Sequence, residues 1–438
     1  MTKLKLFLKM VASFLALLLL FIAFVFFVNR EDKPPSDSVI KLQGIAAAST
    51  PVRDRDNAFV YVMGFSAPDN ADVMAEGIAR VEQMRKSTET LEAFDVPEPR
   101  NAALKDLATI CKESIPACAE QLQRDPARLR DWVRDNAQLI ERYERLLEFR
   151  QWREDGPADA LSQSAAFGQV YQAQRLMHFK ALSLEVNGDA ADCKRMLEKE
   201  YGFWRMVLAE SASANVKMIA ARSIELHFEL GNLVVRRFPP ALTMMAIPDG
   251  WREALSSRER SLAKMMANEW KSYDSRSDDE RSRNWGAMLF GSFLYQPQAT
   301  SNANADRMLR VVELYDRDYA AIPQAAATFL ATYGTEKKAA ADIGVYNPIG
   351  RILLNMEGMD PYIAFGFRVV NLEGMRRMAL LASQLRSSGA KGNDVAVGVR
   401  TSDLRDPYDG KGFAWNPENS SLMFSRALEG RPDFKIAY

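Results

Sequence analysis

The chain has 438 residues, with 57 basic and 57 acidic side chains and no formal net charge at pH 7. This balance gives no indication of a polyanionic partner, so nucleic-acid binding is not expected. Hydrophobic residues make up 47% of the sequence and charged residues 26%, a composition typical of globular proteins. The length suffices for two or three ordinary domains or for one large helical array.

The N-terminal region contains the clearest signal, because Met10–Val28 is apolar except for Ser13. A helix of that length covers about 28 Å, close to the hydrocarbon thickness of a bilayer. We therefore assign residues 1–28 to a cytoplasmic tip and a transmembrane helix, with the lipid bilayer as its partner. A buried core helix is the alternative, but core helices are rarely apolar on every face.

The charges that flank this segment bear on its orientation. Lys3, Lys5 and Lys9 precede it, whereas Arg30 and Lys33 follow it. The excess of basic residues before the span weakly favours a cytoplasmic N-terminus. A cleaved signal peptide is the alternative, although its apolar region is usually shorter and a small-x-small cleavage site should follow. The sequence predicts a signal-anchored protein whose C-terminal domain lies on the far side of the membrane.

The rest of the chain divides by composition into three parts. Residues 29–55 are assigned to a linker, within which the polar segment 29–38 contains Pro34 and Pro35 and predicts an extended spacer. Residues 56–389 have helical patterns, and residues 390–438 favour a small antiparallel β-hairpin tail. The predicted fold class is mainly α, with a large domain of helical hairpins.

Helical periodicity is strongest between residues 102 and 237. Asp125 and Pro126 supply an N-cap and a first-turn proline ahead of an apolar stripe at three- and four-residue spacing. Short turns between the helices that follow predict antiparallel neighbours, as in tetratricopeptide-type hairpins, although no repeat of fixed period is present. The later helices are predicted over about 164–186, 190–210, 213–237, 304–322 and 371–389. The segment 57–68 is a strand or a buried helix, and 272–284 is an exposed loop or a helix start.

Three cysteines occur, at positions 111, 118 and 193. In an exported domain a pair of them is often oxidised. On one continuous helix Cys111 and Cys118 would be over about 10 Å apart, too far to bridge. Pro116 should interrupt such a helix, and a turn there would bring the thiols together. We therefore predict a Cys111–Cys118 disulfide, with two reduced and buried thiols as the alternative, and we expect Cys193 to be a core residue.

Candidate catalytic and metal-binding residues are few. His178, His227 and Cys193 have no short metal-ligand spacing, so we expect core histidines and no metal site. The sequence also lacks the HExxH, GxSxG, P-loop and GxGxxG patterns. No cofactor is predicted, and catalytic residues are not identifiable. An aromatic-lined groove for a peptide or glycan is a further alternative.

The C-terminal segment changes in pattern. Alternating valines at 395, 397 and 399 lead to the sequence DPYDGKGFAW, in which Asp406, Pro407 and Gly410 predict a tight turn. Two short strands are expected within 412–426 and a third near 433–438. By the two-residue period of a strand, Phe413 and Trp415 share one face, and we expect both to pack on the helical body beside Leu422 and Phe424. Trp415 is the predicted anchor of this tail.

Several segments together resemble a group of single-span proteobacterial envelope proteins without an established activity. They are NAFVYVMGFSAPDNADVMAEG, IERYERLL, FWRMVLAESASANVKMIAARSI and YNPIGRILLNM. The segment LRDPYDGKGFAWNPENSSLMFS is similar to one that closes many exported bacterial proteins, including type II secretion pseudopilins. Gly412 stands where that pattern usually has proline, and the pseudopilin processing signal is absent. These resemblances imply topology and fold but no catalytic residues.

Taken together, the sequence predicts a membrane-anchored periplasmic interaction or assembly protein without catalytic activity. Its expected partner is another envelope protein. The alternative is an envelope enzyme that uses carboxylates in a helical groove. Clustered acids with perturbed pKa values in a deep pocket would favour the enzyme.

Overall fold

The computed structural model describes residues 2–48, 50–86, 115–154, 167–183, 190–283, 294–334, 344–356, 358–427 and 432–438. The fold is mainly helical, with one long apolar N-terminal helix and a small C-terminal antiparallel sheet, as the sequence predicted. By internal contacts the chain divides into two compact units. Unit 1 comprises residues 1–48, 266–313 and 324–363, and unit 2 comprises residues 49–265, 314–323 and 364–438.

The helices are numbered here in chain order. The first nine are α1 (Thr2–Val28), α2 (Asp37–Ala47), α3 (Ala58–Met63), α4 (Val73–Lys86), α5 (Ile115–Gln123), α6 (Pro126–Asp135), α7 (Ala137–Leu146), α8 (Phe167–Ser183) and α9 (Ala190–Glu210). They are followed by α10 (Ala214–Val235), α11 (Pro240–Ala246), α12 (Ser257–Arg260), α13 (Ala263–Arg283), α14 (Pro297–Tyr315), α15 (Ile322–Tyr333), α16 (Pro348–Met356), α17 (Asp360–Ser387) and α18 (Asn393–Thr401).

Each of the two units is assembled from segments that are separated in the sequence. The tail beyond residue 390 belongs to unit 2, together with most of the helical body. Residues 266–313 and 324–363 instead belong to unit 1, with the N-terminal 48 residues. Composition could not reveal this division, because it depends on which segments, distant in sequence, pack together.

Within unit 1, helix α1 is long and apolar enough to cross a membrane. Its segment Leu4–Val28 has a mean hydropathy of 3.0, and none of its most apolar window is buried against the rest of the protein. A helix whose apolar side chains all lie exposed is not a core helix. This excludes the core-helix alternative.

The expected linker over residues 29–55 contains a helix after its first eight residues. Helix α2 occupies Asp37–Ala47, with the Ser36 hydroxyl accepting a hydrogen bond from the Val39 backbone amide as its N-cap. Val39 and Leu42 are buried. The two prolines lie before the N-cap, where the chain is not yet helical. They therefore lie in the short non-helical stretch that leads into α2.

Unit 2 is built around α10, which contacts α5, α8, α9 and the last strand. Residues on nearly every face of α10 are buried, as expected of a central helix. Its hydrophobic cluster includes Leu226, Leu230 and Leu233 of α10, with Trp132 and Phe179 from the surrounding helices. The predicted helices over 190–210 and 213–237 match α9 and α10 closely.

Two further predictions are corrected by the helix boundaries. The alternating valines near 397 lie in helix α18, where Val395 and Val399 are buried and Val397 is exposed. The three valines are two residues apart, as on one face of a strand, and the first and last are four residues apart, as on one face of a helix. The motif therefore could not distinguish a strand from a helix. The helix predicted from 371 begins instead at Asp360. Its start has the same Asp-Pro signal that marks the start of α6.

The two segments whose conformation was left open are both helical. Residues 58–63 form α3, for which the Asn57 side chain accepts a hydrogen bond from the Phe59 amide. All six residues of α3 are buried, so no polar face was present to reveal its period. Most of 272–284 belongs to α13, which ends at Arg283.

The C-terminal sheet has three strands in the order β1 (Ala414–Asn416), β2 (Ser421–Phe424) and β3 (Phe434–Ala437). Both pairings are antiparallel, and Leu422 lies opposite Trp415 on one side and Ile436 on the other. The Asn232 side chain of α10 donates a hydrogen bond to the Ala437 carbonyl at 3.0 Å. The sheet therefore packs on the central helix of unit 2, which gives a small sheet the support it needs in water.

The predicted disulfide falls partly outside the described residues, because Cys111 lies there. Helix α5 begins at Ile115 with Pro116 in its first turn, and Cys118 is buried in the hydrophobic cluster. Cys193 is a free thiol, and burial raises its pKa to about 12.

We expect mass spectrometry of the non-reduced protein to show a Cys111–Cys118 cross-linked peptide, with Cys193 alone alkylated after denaturation. Such a short loop would stabilise the fold by about 2 kcal/mol in the chain-entropy model. Cys193 is the internal control, since it should be modified with or without reductant. Alkylation of all three cysteines in denaturant without reductant would show that the bridge does not form.

Candidate functional site

A cluster of three ionisable side chains lies at the centre of unit 2. His178 of α8, Glu200 of α9 and His227 of α10 are all fully buried, and their nitrogen and oxygen atoms lie within 4.8 Å of one another. Helix α10 packs against both α8 and α9, and this packing brings the three side chains together. Buried charged groups of this kind need partners, and the cluster supplies them.

The Glu200 carboxylate is the hub of the cluster. Its Oε1 accepts a hydrogen bond from the side-chain amide of Gln174, at 2.7 Å, and another from the Tyr143 hydroxyl, at 3.4 Å. Its Oε2 lies 2.7 Å from His227 Nδ1 and 3.1 Å from His178 Nε2. Both carboxylate oxygens are therefore engaged, and neither is exposed to solvent.

Trp251 determines the protonation of His227. The indole Nε1–H of Trp251 lies 2.9 Å from His227 Nε2, and an indole nitrogen can only donate a hydrogen bond. His227 Nε2 must therefore accept, so the imidazole proton is on Nδ1, where it donates to Glu200. The Tyr201 ring stacks on the same imidazole, with ring centroids 5.1 Å apart. These contacts hold His227 in one neutral tautomer and one orientation.

His178 is the charged partner of Glu200. Its Nδ1 lies 3.0 Å from the backbone carbonyl oxygen of Gln174. A carbonyl oxygen can only accept a hydrogen bond, so Nδ1 carries a proton. Burial lowers the pKa of His178, but the adjacent Glu200 carboxylate outweighs this effect and raises the pKa above its usual value. Burial likewise raises the pKa of Glu200, yet His178 and His227 together hold it at about 2. The raised pKa favours the charged form of His178 beside the Glu200 carboxylate.

The surrounding side chains enclose the cluster. The Tyr143 hydroxyl, which donates to Glu200, accepts a hydrogen bond from the Trp204 indole at 2.8 Å. Burial, with Glu200 nearby, raises the pKa of Tyr143 well above its usual value, so this phenol stays protonated. The Gln174 amide also donates to the Ser223 carbonyl at 2.9 Å. Aromatic rings and backbone carbonyls thus take the place of solvent around the charged pair.

The residues of this cluster do not fit a metal ion. A metal on His227 Nδ1 would move the proton to Nε2, where it would face the Trp251 N–H at 2.9 Å, placing donor against donor. Two ligand atoms that each lie about 2.0–2.1 Å from a tetrahedral zinc ion are about 3.3 Å from one another. The 2.7 Å between Glu200 and His227 is instead a hydrogen-bond distance. The arrangement is that of a structural charge network.

The sequence expectation for the two histidines was partly right. They are core histidines, yet they converge through Glu200, which was not singled out. Cys193 lies two turns before Glu200 on α9 and contacts the hydrophobic cluster instead. A signal for Glu200 was present, because it falls among Leu197, Tyr201 and Trp204 on the apolar face of α9. A carboxylate in such a position is rarely buried without a partner.

A second buried ion pair lies next to this cluster. Arg376 of α17 makes two hydrogen bonds to the Glu373 carboxylate, at 2.9 and 2.7 Å. Its remaining terminal nitrogen donates to the Trp251 carbonyl at 2.5 Å. Burial raises the pKa of Glu373, but Arg376 and Arg377 outweigh it and lower that pKa. Trp251 therefore touches both networks, through its indole nitrogen and its carbonyl.

One accessible feature among the described residues of unit 2 is an open cleft of about 440 Å³. It is lined by Arg55, Asp56, Arg145, Glu148, Phe149, Arg150 and Gln151. Its two acids are engaged elsewhere, Asp56 with Arg53 at 2.6 Å and Glu148 with Lys199 at 3.2 Å. Among the described residues, none forms an ion pair with the three lining arginines. The cleft is thus a cationic surface open to solvent.

The tail residues singled out from the sequence form one turn. The Asp406 amide donates to the Lys411 carbonyl at 2.9 Å, and the Gly410 amide donates to the Asp406 carbonyl at 3.0 Å. Pro407 lies within this turn, and Gly410 adopts a φ of +70°, which a side chain would disfavour. Within the turn, Lys411 forms an ion pair with Asp409 at 2.9 Å.

The hydrophobic anchor of the tail is not Trp415. Phe413, Leu422 and Phe424 are buried, whereas Trp415 is only half-buried and lies edge-on to the terminal Tyr438 ring, with centroids 5.6 Å apart. Phe413 precedes β1, so the strand period does not apply to both aromatic residues. Phe424 contacts α17 closely: a Cβ added at Gly374 would lie 2.3 Å from its ring.

Comparisons of the sequence and structure with protein-family models, curated proteins and solved structures found no match.

Proposed function

We propose that this protein is anchored in the bacterial inner membrane by α1, with its folded units in the periplasm, and acts there as a non-catalytic interaction or assembly component. The observation that carries the anchor is the apolar segment Leu4–Val28, whose most apolar window has no buried residue. The basic residues ahead of it support a cytoplasmic N-terminus. The sealed histidine–glutamate cluster supports a structural role for the ionisable groups that are buried in unit 2.

The cationic cleft supports the choice of partner surface. Three exposed arginines around an aromatic residue can bind carboxylates with paired hydrogen bonds, which suits an acidic segment of another envelope protein. The cleft is open, so such a segment can enter without a conformational change. A cleft of this shape encloses a small substrate poorly, which is why a binding role is favoured over catalysis.

We expect a periplasm-active reporter fused after Tyr438 to be active and a cytoplasm-dependent reporter at the same position to be inactive. The same chain should sediment with membranes and resist extraction by alkaline carbonate, because a spanning helix is held by its apolar length. N-terminal mass analysis should recover peptides from the first 28 residues. Recovery of a soluble protein that starts after Val28 would overturn the anchor.

A photo-crosslinking side chain at Gln151, which lines the cleft, tests the partner surface in intact cells. A discrete adduct should form and should disappear when Arg145→Glu and Arg150→Glu are combined. Arg195→Glu is the matched control, since Arg195 is an exposed arginine that does not line the cleft and pairs with Asp192. An adduct unaffected by reversing the cleft charges would contradict the proposed surface.

A further inference from the structure

Helix α16 of unit 1 has a continuous apolar face that nothing in the described part of unit 1 covers. Ile352, Leu353 and Met356 are 41%, 39% and 73% exposed, and Ile349 is half-buried beside them. Positions 349, 352, 353 and 356 are three and four residues apart, so they form one stripe on the helix surface. Leu354, on the opposite side, is buried and holds the helix to unit 1. We call these four residues the α16 stripe.

The α16 stripe lies close to the end of the apolar helix α1. Asn29, the residue directly after α1, donates from Nδ2 to the Val345 carbonyl at 2.8 Å, and its Oδ1 accepts from the Asn347 amide at 2.7 Å. The first turn of α16 therefore begins beside the last residue of α1. Nine residues at about 1.5 Å each extend about 13 Å, so the whole stripe stays near that point. The headgroup layer next to the hydrocarbon is about 5–8 Å thick.

The junction between α1 and α16 is rigid. Asn347 adopts a φ of +53°, and its Oδ1 accepts from the amides of Gln296 and Gly350 at 2.9 and 3.2 Å. Its Nδ2 donates to the Thr300 hydroxyl at 2.9 Å. Asn347 is also nearly inaccessible to solvent. One buried asparagine thus ties the end of α1 to the starts of α14 and α16.

A second contact fixes the same junction from the side of α14. The Asp32 carboxylate accepts hydrogen bonds from the Gln298 and Ala299 amides, at 2.7 and 2.9 Å, in the first turn of that helix. A carboxylate there is favoured by the free amides and by the helix dipole. The chain that leaves α1 is therefore held in place over Asn29–Asp32 and cannot act as a hinge.

The chemistry around the junction suits a lipid headgroup layer. The Lys33 ammonium lies 5.4 Å from the centre of the Tyr346 ring, and the Arg30 guanidinium lies 4.7 Å from that of Phe27. Aromatic and basic side chains are enriched where transmembrane helices leave the hydrocarbon. Here these aromatic and basic residues lie next to the contact between the end of α1 and the start of α16.

We propose that α16 lies on the membrane surface with the α16 stripe inserted among the headgroups, as a second lipid contact beside the span. The inference rests on the membrane anchor proposed above. With two contacts, unit 1 has one fixed orientation to the bilayer and cannot rotate about α1. A second copy of this chain is a less suitable occupant, because four side chains bury far less than the roughly 1,200 Å² of a stable interface.

The test uses the full chain in vesicles of phosphatidylethanolamine and phosphatidylglycerol, with a nitroxide attached at Met356→Cys. We expect collisions with oxygen to increase and collisions with a water-soluble nickel chelate to fall several-fold, relative to Met245→Cys. Met245 is the matched control, since it is also an exposed methionine, 57% accessible, on helix α11 of unit 2. The unsubstituted protein, treated with the same label, gives the background from native thiols.

Three outcomes would overturn the inference. If the chain does not float with the vesicles, both the anchor and the α16 contact are wrong. If it floats but the Met356 label is as open to nickel as the Met245 label, the anchor stands and the surface contact is wrong. If the nitroxide at position 356 becomes more accessible to nickel as the ratio of protein to lipid is lowered, a second copy covers the stripe instead.

A further variant separates lipid contact from simple burial. Adding Leu353→Asp, on the same stripe, should restore nickel access at position 356 while circular dichroism stays unchanged, because an exposed residue is replaced. If the label at position 356 stays inaccessible to nickel in the Leu353→Asp variant, protein rather than lipid shields it.

Discussion

Replacing Glu200 by glutamine is expected to lower the free energy of unfolding by about 3–5 kcal/mol, the usual effect of removing one member of a buried ion pair. The amide would keep the shape of the side chain but leave His178 without a counter-charge. It would also place an amide N–H₂ where Glu200 now only accepts hydrogen bonds, from Gln174, Tyr143 and His227. Urea unfolding of the detergent-solubilised full chain, followed by tryptophan fluorescence, measures the loss.

Glu148→Gln is the matched control for this experiment. It is the same substitution, also at a glutamate that pairs with a cation, but the Glu148 side chain is 65% exposed. Exposed pairs contribute little, so we expect a change within about 0.5 kcal/mol. Equal effects of the two substitutions would mean that the buried cluster does not stabilise unit 2.

The stabilisation by this cluster should depend on pH in a defined window. The pKa of Glu200 is held at about 2, so its contribution is present above the unfolded value of about 4.3 and is lost as pH falls toward 2. The pKa of His178 is raised, so its contribution is complete below about 6.5 and is lost as pH rises through the folded value. The difference between wild type and Glu200→Gln should therefore be largest between about pH 4.5 and 6.5.

Replacing Phe424 by alanine is expected to destabilise unit 2 by about 3–5 kcal/mol, the range for a fully buried aromatic side chain. Phe424 is 1% exposed, and its ring packs against Gly374 of α17. Its ring centroid is also 6.1 Å from that of Phe413 and 6.2 Å from that of Tyr408. Alanine would leave a cavity between the sheet and the helix. Equilibrium urea unfolding gives the size of the loss.

Trp415→Ala provides the comparison within the same sheet. Trp415 is the larger residue but is half-buried, and its ring contact is with the C-terminal residue Tyr438. We expect a loss of about 1–2 kcal/mol, within the usual range for single substitutions. A larger loss at Trp415 than at Phe424 would show that the tail is anchored through the outer edge of the sheet.

Local sequence signals predicted the elements that depend on local chemistry. The apolar run before Asn29 was enough for α1, since the length and hydropathy of a span are properties of one continuous segment. Asp125 and Pro126 located the start of α6 because capping involves residues within one turn. Gly410 predicted its turn for the same reason. Each of these signals lies within one continuous stretch of the chain.

Ambiguous or absent local signals account for the errors. The valines of α18 fit the spacing of a strand and that of a helix. Helix α3 is buried on every side, so it has no polar face that would indicate a helical period. Phe413 and Trp415 were assigned to one strand face because the strand was assumed to begin at Gly412, whereas β1 begins at Ala414. A boundary shift of two residues was enough to assign the anchoring role to the wrong aromatic side chain.

The sequence alone therefore determined the apolar N-terminal helix, the helical class, the central helices α9 and α10 and the C-terminal turn. Tertiary structure alone decided the buried cluster, because Glu200 and His227 meet across 27 positions and the protonation of His227 depends on Trp251. It also decided the junction at the end of α1, where Asn29 and Asn347 meet across 318 positions. Such contacts form when distant segments pack, and no local pattern records which polar side chain will face which.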